Sequence, residues 1–525
     1  MSSFRRNRAL LAIAATLLFA AGAWAEAIFP VNESGTGAWV FDQPSAAPSG
    51  TTVHVAFIGD NTASGLFKVH YAAVSGAADF SSSTLTRSQA LLTPAVAIDN
   101  GSLYSTARHP QIAMRSATQA VILFQGIPSD NAAAGYRLFR ALVTLDNNVV
   151  TGQTVQEVAH PLSGRLAQTT VDPSFAVVPT DNTARIAFTD GATGDVYYAR
   201  AGLDNGFLVG ASPILLTKPA DPRGLNPRPR LAIEGTARSH VVWAVDNVAT
   251  EPSSIYYAMV KESLASTVDN LAIGATQVLS GPFHWGFPTI HAPAATRVLV
   301  FAAEEPAGTT GLAGPLGFAV LNPDAVTHDG NPVGPGNLPV NANFFLSPPG
   351  ASVMPTVFDV YRPETVLDSQ NFVHVAGYGF LSSSAPPSGT PGRLYTMSIS
   401  GLTTGTGTAF GSAGMASSAT PVGTGGLSFS TTLPGDYTRP AFAHFSGKAV
   451  LFWSGMDNVV PGARNLYVTT AIDSIDPPIP EKQAGCAMVA AGGPGENGRI
   501  PGAALLVLPA VLLAIRKYAR KAFAR

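Results

Sequence analysis

The sequence predicts an all-β chain that folds as a β-propeller of seven blades, with six blades as the alternative. Two observations predict this class: a composition rich in turn residues, and a strand pattern that repeats along the body. The chain has 525 residues with 52 Gly and 41 Pro, and 12% are charged. Typical domains carry about 25% charged residues, and Gly and Pro punctuate short strands, so the composition disfavours a helical bundle.

The first element of the repeat is a proline that leads a short apolar strand. Consecutive copies lie 56 to 85 residues apart. The prolines of the six copies are Pro110, Pro173, Pro229, Pro288, Pro355 and Pro440. The first unit shows no such proline strand, and residues 36–41 are expected either to replace it or to close the ring against the last blade.

The second element is an apolar strand that often ends on an aromatic residue. Its seven copies begin near His54, Ala120, Arg185, His240, Arg297, His374 and Ala449. The third element follows a turn and often contains tyrosine, as in residues 196–199 and 255–258. Further apolar segments, such as 213–216 and 276–279, leave room for a fourth strand.

These repeated units predict small sheets stacked around an axis. One small sheet cannot bury both of its faces, whereas radial stacking buries them and leaves only short edges. Seven units between residues 27 and 473 average roughly 64 residues, longer than a WD40 repeat. The surplus is expected in loops, chiefly the Pro- and Gly-rich residues 322–350 and the Gly-, Ser- and Thr-rich residues 401–435.

The blade pattern resembles the sialidase-like (BNR-repeat) propellers. Their Asp-box turn is represented here only by the partial segment 204–207. The resemblance is a blade-level pattern and implies the propeller fold. A sialidase-like glycoside hydrolase would also need arginines that hold a carboxylate, beside a Tyr–Glu pair and an Asp acid/base. Arg108, Arg230 and Arg439 lie next to proline strands of different blades, with Glu234, Asp359 and Tyr437 nearby in sequence. No family motif carries a role to any of these residues, so the catalytic residues stay unknown.

The N-terminal residues 1–25 predict a secretory signal peptide. Basic residues at 5, 6 and 8 precede an apolar stretch over 9–21. The small residues Ala23 and Ala25 flank Trp24 in a signal-cleavage pattern, so the mature chain is expected to begin at Glu26. An uncleaved membrane anchor is the alternative.

The C-terminal end carries three signals in order. Gly485 and Cys486 lie in a linker over 476–499, an apolar segment spans 500–515, and a basic tail spans 516–525. This order resembles bacterial CTERM sorting signals of the Gly-Cys type. The resemblance implies a membrane-embedded sorting protease, removal of a transmembrane segment and attachment at the cell envelope or surface, usually in a Gram-negative bacterium, with the tail cytoplasmic before processing. A permanent single-pass anchor is the alternative.

Cysteine, histidine and charge limit the chemistry of the body. Cys486 is the single cysteine, and a processing or lipid-attachment role is expected there. A cysteine-based metal cluster is not expected, because it needs several cysteines. His54, His240 and His374 occupy equivalent strand positions that other blades fill with Ala, Arg or Lys, which favours a structural role. No metal or cofactor is predicted, apart from calcium at Asp-Asn turns as the alternative. These turns follow the second strand at 60–61, 130–131, 181–182, 246–247 and 457–458.

Charge and class together define the functional hypotheses. Residues 26–495 carry a net charge near −10, and nucleic-acid binding requires basic side chains, so a nucleic-acid partner is not expected. The leading hypothesis is an exported, surface-anchored propeller over 26–475 that acts as a binding or scaffold module for a glycan, peptide or envelope protein. A sialidase-like glycoside hydrolase is the alternative, and a part of an envelope complex is the third.

Overall fold

The computed structural model describes a set of β-strands in the first of two compact units, which divide after Ile475. The described residues are 29–30, 40–60, 66–75, 96–99, 103–160, 164–165, 173–217, 228–235, 237–245, 253–262, 270–280, 284–304, 316–325, 344–347, 352–353, 359–368, 372–380, 393–399, 402–403, 420–421, 440–445, 448–456 and 464–469.

The described strands fall into antiparallel groups, which we call blades. The chain begins with the short strand β1 (Phe29–Pro30). Blade 1 contains β2 (Val40–Ser49), β3 (Thr52–Asp60), β4 (Lys68–Ser75) and β5 (Val96–Ala97). Blade 2 contains β6 (Tyr104–Ser116), β7 (Gln119–Pro128), β8 (Arg137–Asp146) and β9 (Val149–Glu157). A small hairpin of β10 (Ala159–His160) and β11 (Gly164–Arg165) follows.

The next blades repeat the same order of neighbouring strands. Blade 3 contains β12 (Ser174–Val178), β13 (Thr183–Thr189), β14 (Val196–Gly202) and β15 (Leu208–Leu215). Blade 4 contains β16 (Arg230–Glu234), β17 (Arg238–Val245), β18 (Ser254–Lys261) and β19 (Asn270–Leu279). Blade 5 contains β20 (Trp285–Ala294), β21 (Arg297–Glu304), β22 (Leu316–Leu321) and β23 (Ser352–Val353). Blade 6 contains β24 (Asp359–Leu367), β25 (Val373–Phe380), β26 (Arg393–Ile399) and β27 (Thr420–Pro421).

Blade 7 is built from both ends of the described chain. It contains β28 (Ala441–Phe445), β29 (Lys448–Met456) and β30 (Arg464–Thr469). Strand β1 pairs antiparallel with β30, with Phe29 opposite Val468. Strand β2 meets β30 at a single parallel pairing, and the Ser454 hydroxyl donates to the Phe41 carbonyl at 2.8 Å. These contacts join blade 7 to blade 1.

The first strand of each blade lies innermost. Each of these strands contacts the next in the order β2, β6, β12, β16, β20, β24 and β28, and β28 contacts β2 again. The seven first strands within the described ranges therefore form a closed ring, and the later strands of each blade lie further from the axis. The all-β propeller class predicted from the sequence is confirmed.

The core lies between neighbouring blades rather than within them. Six clusters of buried apolar side chains occur among the described residues, and each joins two adjacent blades. Strand β7 shows the reason: Ile122 and Phe124 pack toward blade 1, whereas Val121 and Leu123 pack toward blade 3. Successive side chains of a strand point to opposite faces, so a second strand between two blades is buried on both faces and is mostly apolar.

Blades 3 and 4 also share a buried ionic cluster. The Arg185 side chain in β13 is fully buried and pairs with the buried carboxylate of Glu262, which follows β18. The Glu262 carboxylate also accepts from the Tyr198 hydroxyl at 2.6 Å and from the Ser239 hydroxyl at 2.6 Å. Burial raises the pKa of Tyr198 well above its usual value, so this hydroxyl remains a donor at neutral pH. The satisfied cluster fixes one blade against the next.

Two proline strands differ from the sequence-based expectation. The first blade has one after all, because β2 contains Pro44. Of the segment 36–41, Val40 and Phe41 begin β2 and contact blade 7, which agrees with the expected ring closure, and residues 36–39 lie outside the described residues. In blade 6 the innermost strand β24 contains Pro363, and Pro355 lies outside the described residues. The sequence pattern missed Pro44 because Ala46 stands two positions after it, where the other copies have a larger apolar residue such as Ile112 or Phe175.

The two predicted long loops both contain residues that contact blades. Within 322–350, the Leu346 amide donates to the Val320 carbonyl at 2.8 Å, and Phe344 is fully buried. Within 401–435, β27 pairs with β26 as the outer strand of blade 6. The assignment of 401–435 as loop alone was therefore wrong, because a short outer strand such as β27 needs only two paired residues and leaves little sequence signal. The described residues of 322–350 form a 3-10 turn and an irregular segment, in keeping with a loop.

Candidate functional site

A cavity of about 240 Å³ lies on the axis of the ring. Innermost strands of all seven blades contribute to its lining. The polar lining residues are Gln43, Ser45, His109, Gln111, Ser174, Arg230, Thr289, His291, Glu364 and Thr365. Apolar surface comes mainly from Ile112, Phe175, Leu231, Ile290 and Phe442. The ring thus gathers residues from distant parts of the sequence around one small space.

A backbone irregularity shapes the lining. Gln43, His109, Arg228 and Phe287 have φ values of 53°, 50°, 41° and 49°, and each directly precedes a proline. The strand pairing shifts at this point in β2, β6 and β20. Proline lacks the N–H that a regular ladder requires, so it is accommodated at a bulge, and a bulge re-aims neighbouring side chains. Gln43 and His109 line the cavity at such bulges.

The residue after each innermost proline joins successive blades. Ser45 Oγ accepts from the Ile112 amide at 3.1 Å, and Ser174 Oγ accepts from the Leu231 amide at 3.0 Å. Gln111 does the same for the Phe175 amide at 3.1 Å. Its side chain also donates to the Pro173 carbonyl. One position of the repeat therefore supplies a blade-to-blade hydrogen bond in blades 1, 2 and 3.

Blades 4 and 6 place charged residues at that same position. Arg230 is 9% exposed, and its Nη1 donates to the Pro229 carbonyl at 2.8 Å. Glu364 is partly exposed in the lining. The cavity therefore offers a guanidinium donor and a carboxylate acceptor from different blades.

A neutral histidine connects blades 5 and 6. Burial lowers the pKa of His291 to about 4, so the ring is uncharged at neutral pH. Its Nε2 lies 2.7 Å from Thr365 Oγ1, which donates its proton to Thr289 Oγ1 at 2.8 Å. Because the Thr365 proton is already used, the ring must donate from Nε2, and Nδ1 is then an acceptor.

Gln43 joins blade 1 to blade 2 through one of the two polar atoms of its side-chain amide. Its Oε1 accepts from the His109 amide at 2.5 Å. The backbone N–H of Gln43 donates to Asp42 Oδ1 at 2.8 Å. The side-chain Nε2 has no hydrogen-bond partner among the described residues, although Gln43 is only 5% exposed. An unmade bond of this kind costs about 1–3 kcal/mol.

One of the three predicted arginines lines the cavity. It is Arg230. Arg108 instead donates from Nε to Gln125 at 2.8 Å, with its guanidinium 3.8 Å from the centre of the Tyr136 ring. Arg439 lies outside the described residues.

The predicted acids and tyrosine are not assembled at the cavity by the described residues. Glu234 ends β16 and lies 3.5 Å from Arg238 and 3.6 Å from His240. Asp359 begins β24, and Tyr437 lies outside the described residues.

The three equivalent histidines have local partners within their own blades. The Nδ1 atoms of His54 and His240 lie 2.7 and 2.8 Å from the hydroxyls of Tyr71 and Tyr257. His374 Nε2 lies 2.8 Å from Asp368 Oδ2. Burial lowers the pKa of His54 to about 4. These contacts support the structural role predicted from the sequence.

The Asp-Asn turn at 181–182 lies before the second strand, not after it as predicted. Asp181 ends a short 3-10 turn between β12 and β13. Its carboxylate accepts from the Thr183 amide at 3.1 Å and pairs with Arg185 at 2.6 Å. Across the described part of the chain, no group of three or more His, Cys, Asp or Glu residues could hold a metal ion.

The partial Asp-box segment joins blades 2 and 3. Asp204 pairs with Arg115 at 2.7 Å and accepts from Asn182 at 2.6 Å. Arg140, which is 2% exposed, donates to the Leu203 carbonyl and to Gln156. The segment therefore has a packing role away from the cavity.

The predicted terminal sites lie outside the described residues. They are the signal-cleavage residues Ala23 and Ala25, the sorting residues Gly485 and Cys486, and the apolar segment 500–515. Within the ranges that the structure describes, no helix has the length and hydropathy that a membrane span needs.

Most of the cavity lining was not predicted from the sequence. Gln43, His109, His291 and Glu364 were not singled out. The available signal was proximity to the proline of the repeat. Gln43 and His109 directly precede Pro44 and Pro110, and His291 and Glu364 lie three and one positions after Pro288 and Pro363.

No family model matches the chain, and no curated protein matches it. Similar solved structures include the β-propeller domain of the Trilobed protease from Pyrococcus furiosus, with 9% identity, 84% of this chain and 98% of that chain covered, and a TM-score of 0.39. A Trypanosoma rangeli sialidase in complex with sialic acid has 8% identity and a TM-score of 0.37, with 86% of this chain and 57% of that chain covered. The chain thus spans little more than half of that sialidase.

A third similar structure is the subtype N11 neuraminidase-like protein of A/flat-faced bat/Peru/033/2010 (H18N11). It has 9% identity and a TM-score of 0.35, with 70% of this chain and 88% of that chain covered. The solved structures that this chain resembles thus include sialidase and neuraminidase-like proteins, and at these TM-scores they assign no activity or ligand to it.

Proposed function

We propose that this propeller is a carbohydrate-binding module whose axial cavity holds one sugar unit. The observation that supports the proposal is the lining: hydrogen-bonding side chains from six of the blades surround about 240 Å³. Ligand pockets generally occupy roughly 300–1,000 Å³, so this smaller space suits a single ring rather than an extended chain.

The donor and acceptor set fits hydroxyl groups. Each sugar hydroxyl donates one hydrogen bond and accepts others, so its site must offer both kinds of partner. Arg230 and Gln43 supply donors, while Glu364 supplies an acceptor. Phe175 and Phe442 add apolar surface for the C–H faces of a ring.

The carboxylates favour binding over hydrolysis. Most glycosidases use two carboxyl groups roughly 5–9.5 Å apart on either side of the scissile bond. Among the described lining residues, Glu364 is the single carboxylate. Retention of a glycan without its cleavage is therefore the expected behaviour, and a sialidase-like hydrolase is the alternative.

A glycan array tests this proposal. Purified full-length protein is applied to immobilised sialylated and neutral glycans, and both retention and sugar release are measured. Arg230→Met should abolish retention, whereas Arg115→Met should not, because Arg115 forms a partly exposed ion pair with Asp204 away from the cavity. Sugar release by the wild type would favour the hydrolase, and absence of retention would contradict the proposal.

We also propose that the module is exported and displayed at the cell envelope, with a membrane-embedded sorting protease as its processing partner. The signal-like residues 1–25 and the ordered Gly-Cys, apolar and basic segments at the C-terminus support this. Mass spectrometry of the protein from its native host should find Glu26 as the first residue and an end near Cys486. Cys486→Ser should block the C-terminal cut, and an unprocessed wild-type chain would contradict the proposal.

A further inference from the structure

Two glutamines in the cavity lining use their amides differently. Gln111 of blade 2 accepts from the Phe175 amide and donates to the Pro173 carbonyl, so both of its polar atoms are engaged with blade 3. Gln43 of blade 1 engages its oxygen only, through the His109 amide at 2.5 Å. Its Nε2 has no partner among the described residues.

The orientation of the Gln43 amide follows from its neighbour. A backbone N–H can only donate, so the atom that faces the His109 amide must be the oxygen. The NH₂ group is therefore the part of the amide that has no hydrogen-bond partner among the described residues. A buried donor without a partner is uncommon in native structures and calls for an explanation such as a missing ligand.

The backbone at Gln43 is also held in a costly conformation. Its φ of 53° lies in the left-handed region, which non-glycine residues seldom adopt and which Pro44 restricts further. The Asp42 carboxylate accepts from the Gln43 amide at 2.8 Å and stabilises this turn. Local strain of this kind is concentrated at ligand clamps and active sites.

We propose that Gln43 anchors the ligand, with Nε2 donating to a hydroxyl oxygen of a neutral sugar in the axial cavity. The proposal rests on the carbohydrate-binding function proposed above and deepens it by naming the sugar class. The described lining contains one guanidinium, that of Arg230, and one carboxylate, that of Glu364. His291 adds an uncharged ring. Charges that cancel, together with a neutral amide donor, match a neutral polyhydroxylated ring better than an acidic one.

The test replaces one side-chain atom of Gln43. Gln43→Glu keeps the shape of the side chain and an oxygen for the His109 amide, but its carboxylate cannot donate. Gln277→Glu is the matched control, because Gln277 is an exposed residue of β19 whose Nε2 donates to Ser254 Oγ at 2.7 Å, away from the cavity lining. Both full-length variants and the wild type are titrated calorimetrically with lactose, cellobiose, maltose and 3′-sialyllactose at pH 8.

The wild type should bind at least one neutral disaccharide, and Gln43→Glu should bind it roughly tenfold more weakly, the effect of one lost hydrogen bond. Gln277→Glu should stay within about twofold of wild type. If the charged variant does not fold, Gln43→Met replaces it, and the same loss is expected.

Two results overturn this inference and leave the proposed function standing. One is Gln43→Glu binding as tightly as the wild type at pH 8, and the other is a wild type that binds only 3′-sialyllactose. A wild type that binds none of the four sugars and retains no glycan on the array contradicts the proposed function itself.

Discussion

Acidification should destabilise this protein well before its carboxylates are protonated. Burial lowers the pKa values of His54, His70 and His291 from 6.5 to about 4 each; a backbone hydrogen bond to Gly59 partly offsets the effect at His70. The unfolded chain therefore binds three more protons than the folded chain across this interval. The stability that these three neutral histidines contribute is fully present above pH 6.5 and is lost as the pH falls toward 4.

The magnitude follows from the size of the interval. One unit of pKa corresponds to about 1.36 kcal/mol. Each histidine therefore lowers the free energy of unfolding by about 2 kcal/mol between pH 6.5 and 5. The three together cost about 6 kcal/mol, which is comparable with the whole stability of a typical domain, about 5–15 kcal/mol.

Urea unfolding followed by tryptophan fluorescence measures this loss, because Trp243, Trp285 and Trp453 are all buried. The free energy of unfolding should be equal at pH 7.5 and 8.5 and should be much lower at pH 5. His54→Gln should reduce the difference between pH 7.5 and 5 by about 2 kcal/mol. Equal stability at pH 5 and 7.5 would show that burial does not hold these three histidines neutral.

Three further predictions concern packing. Glu262→Gln should destabilise the protein by about 1–3 kcal/mol in urea unfolding, because the buried guanidinium of Arg185 loses its buried carboxylate and keeps only the partly exposed Asp181 as a charged partner; a loss below about 1 kcal/mol would contradict the buried pair. Gly317→Ala should lower the melting temperature sharply, since an added Cβ would lie 2.4 Å from the Trp285 ring, whereas Gly152→Ala, with its nearest atom at 3.7 Å, should not; equal melting temperatures would contradict this packing. Deleting β1 should speed unfolding, because it removes the strand that pairs with β30; unchanged kinetics would show that β1 does not hold blade 7.

The fold was largely predictable because its cause is local and repeated. Second strands such as 120–124 are apolar at every position, since each lies between two neighbouring blades. Third strands place Tyr198 and Tyr257 in the buried interfaces, where their hydroxyls bond Glu262 and His240. Periodicity records these requirements in the sequence. Two-residue outer strands such as β27 leave no comparable pattern, and they were predicted as loop.

The candidate site was less predictable because it depends on convergence. Arg230 was singled out, but the sequence cannot show that Arg108 turns toward Gln125 and Tyr136. Gln43 escaped attention because an amide beside a proline is ordinary in a strand-rich chain. Its importance arises from the bulge, the His109 contact and the unused Nε2, which only the folded ring brings together.

The proposed function places a sugar in the axial cavity. A crystal structure of the full-length protein, soaked with the neutral disaccharide that binds most tightly in calorimetry, tests it most directly. We expect a sugar ring in the cavity, with an oxygen within hydrogen-bond distance of Gln43 Nε2 and another near Arg230. Sugar bound at the blade edges while the cavity contains only water would contradict it.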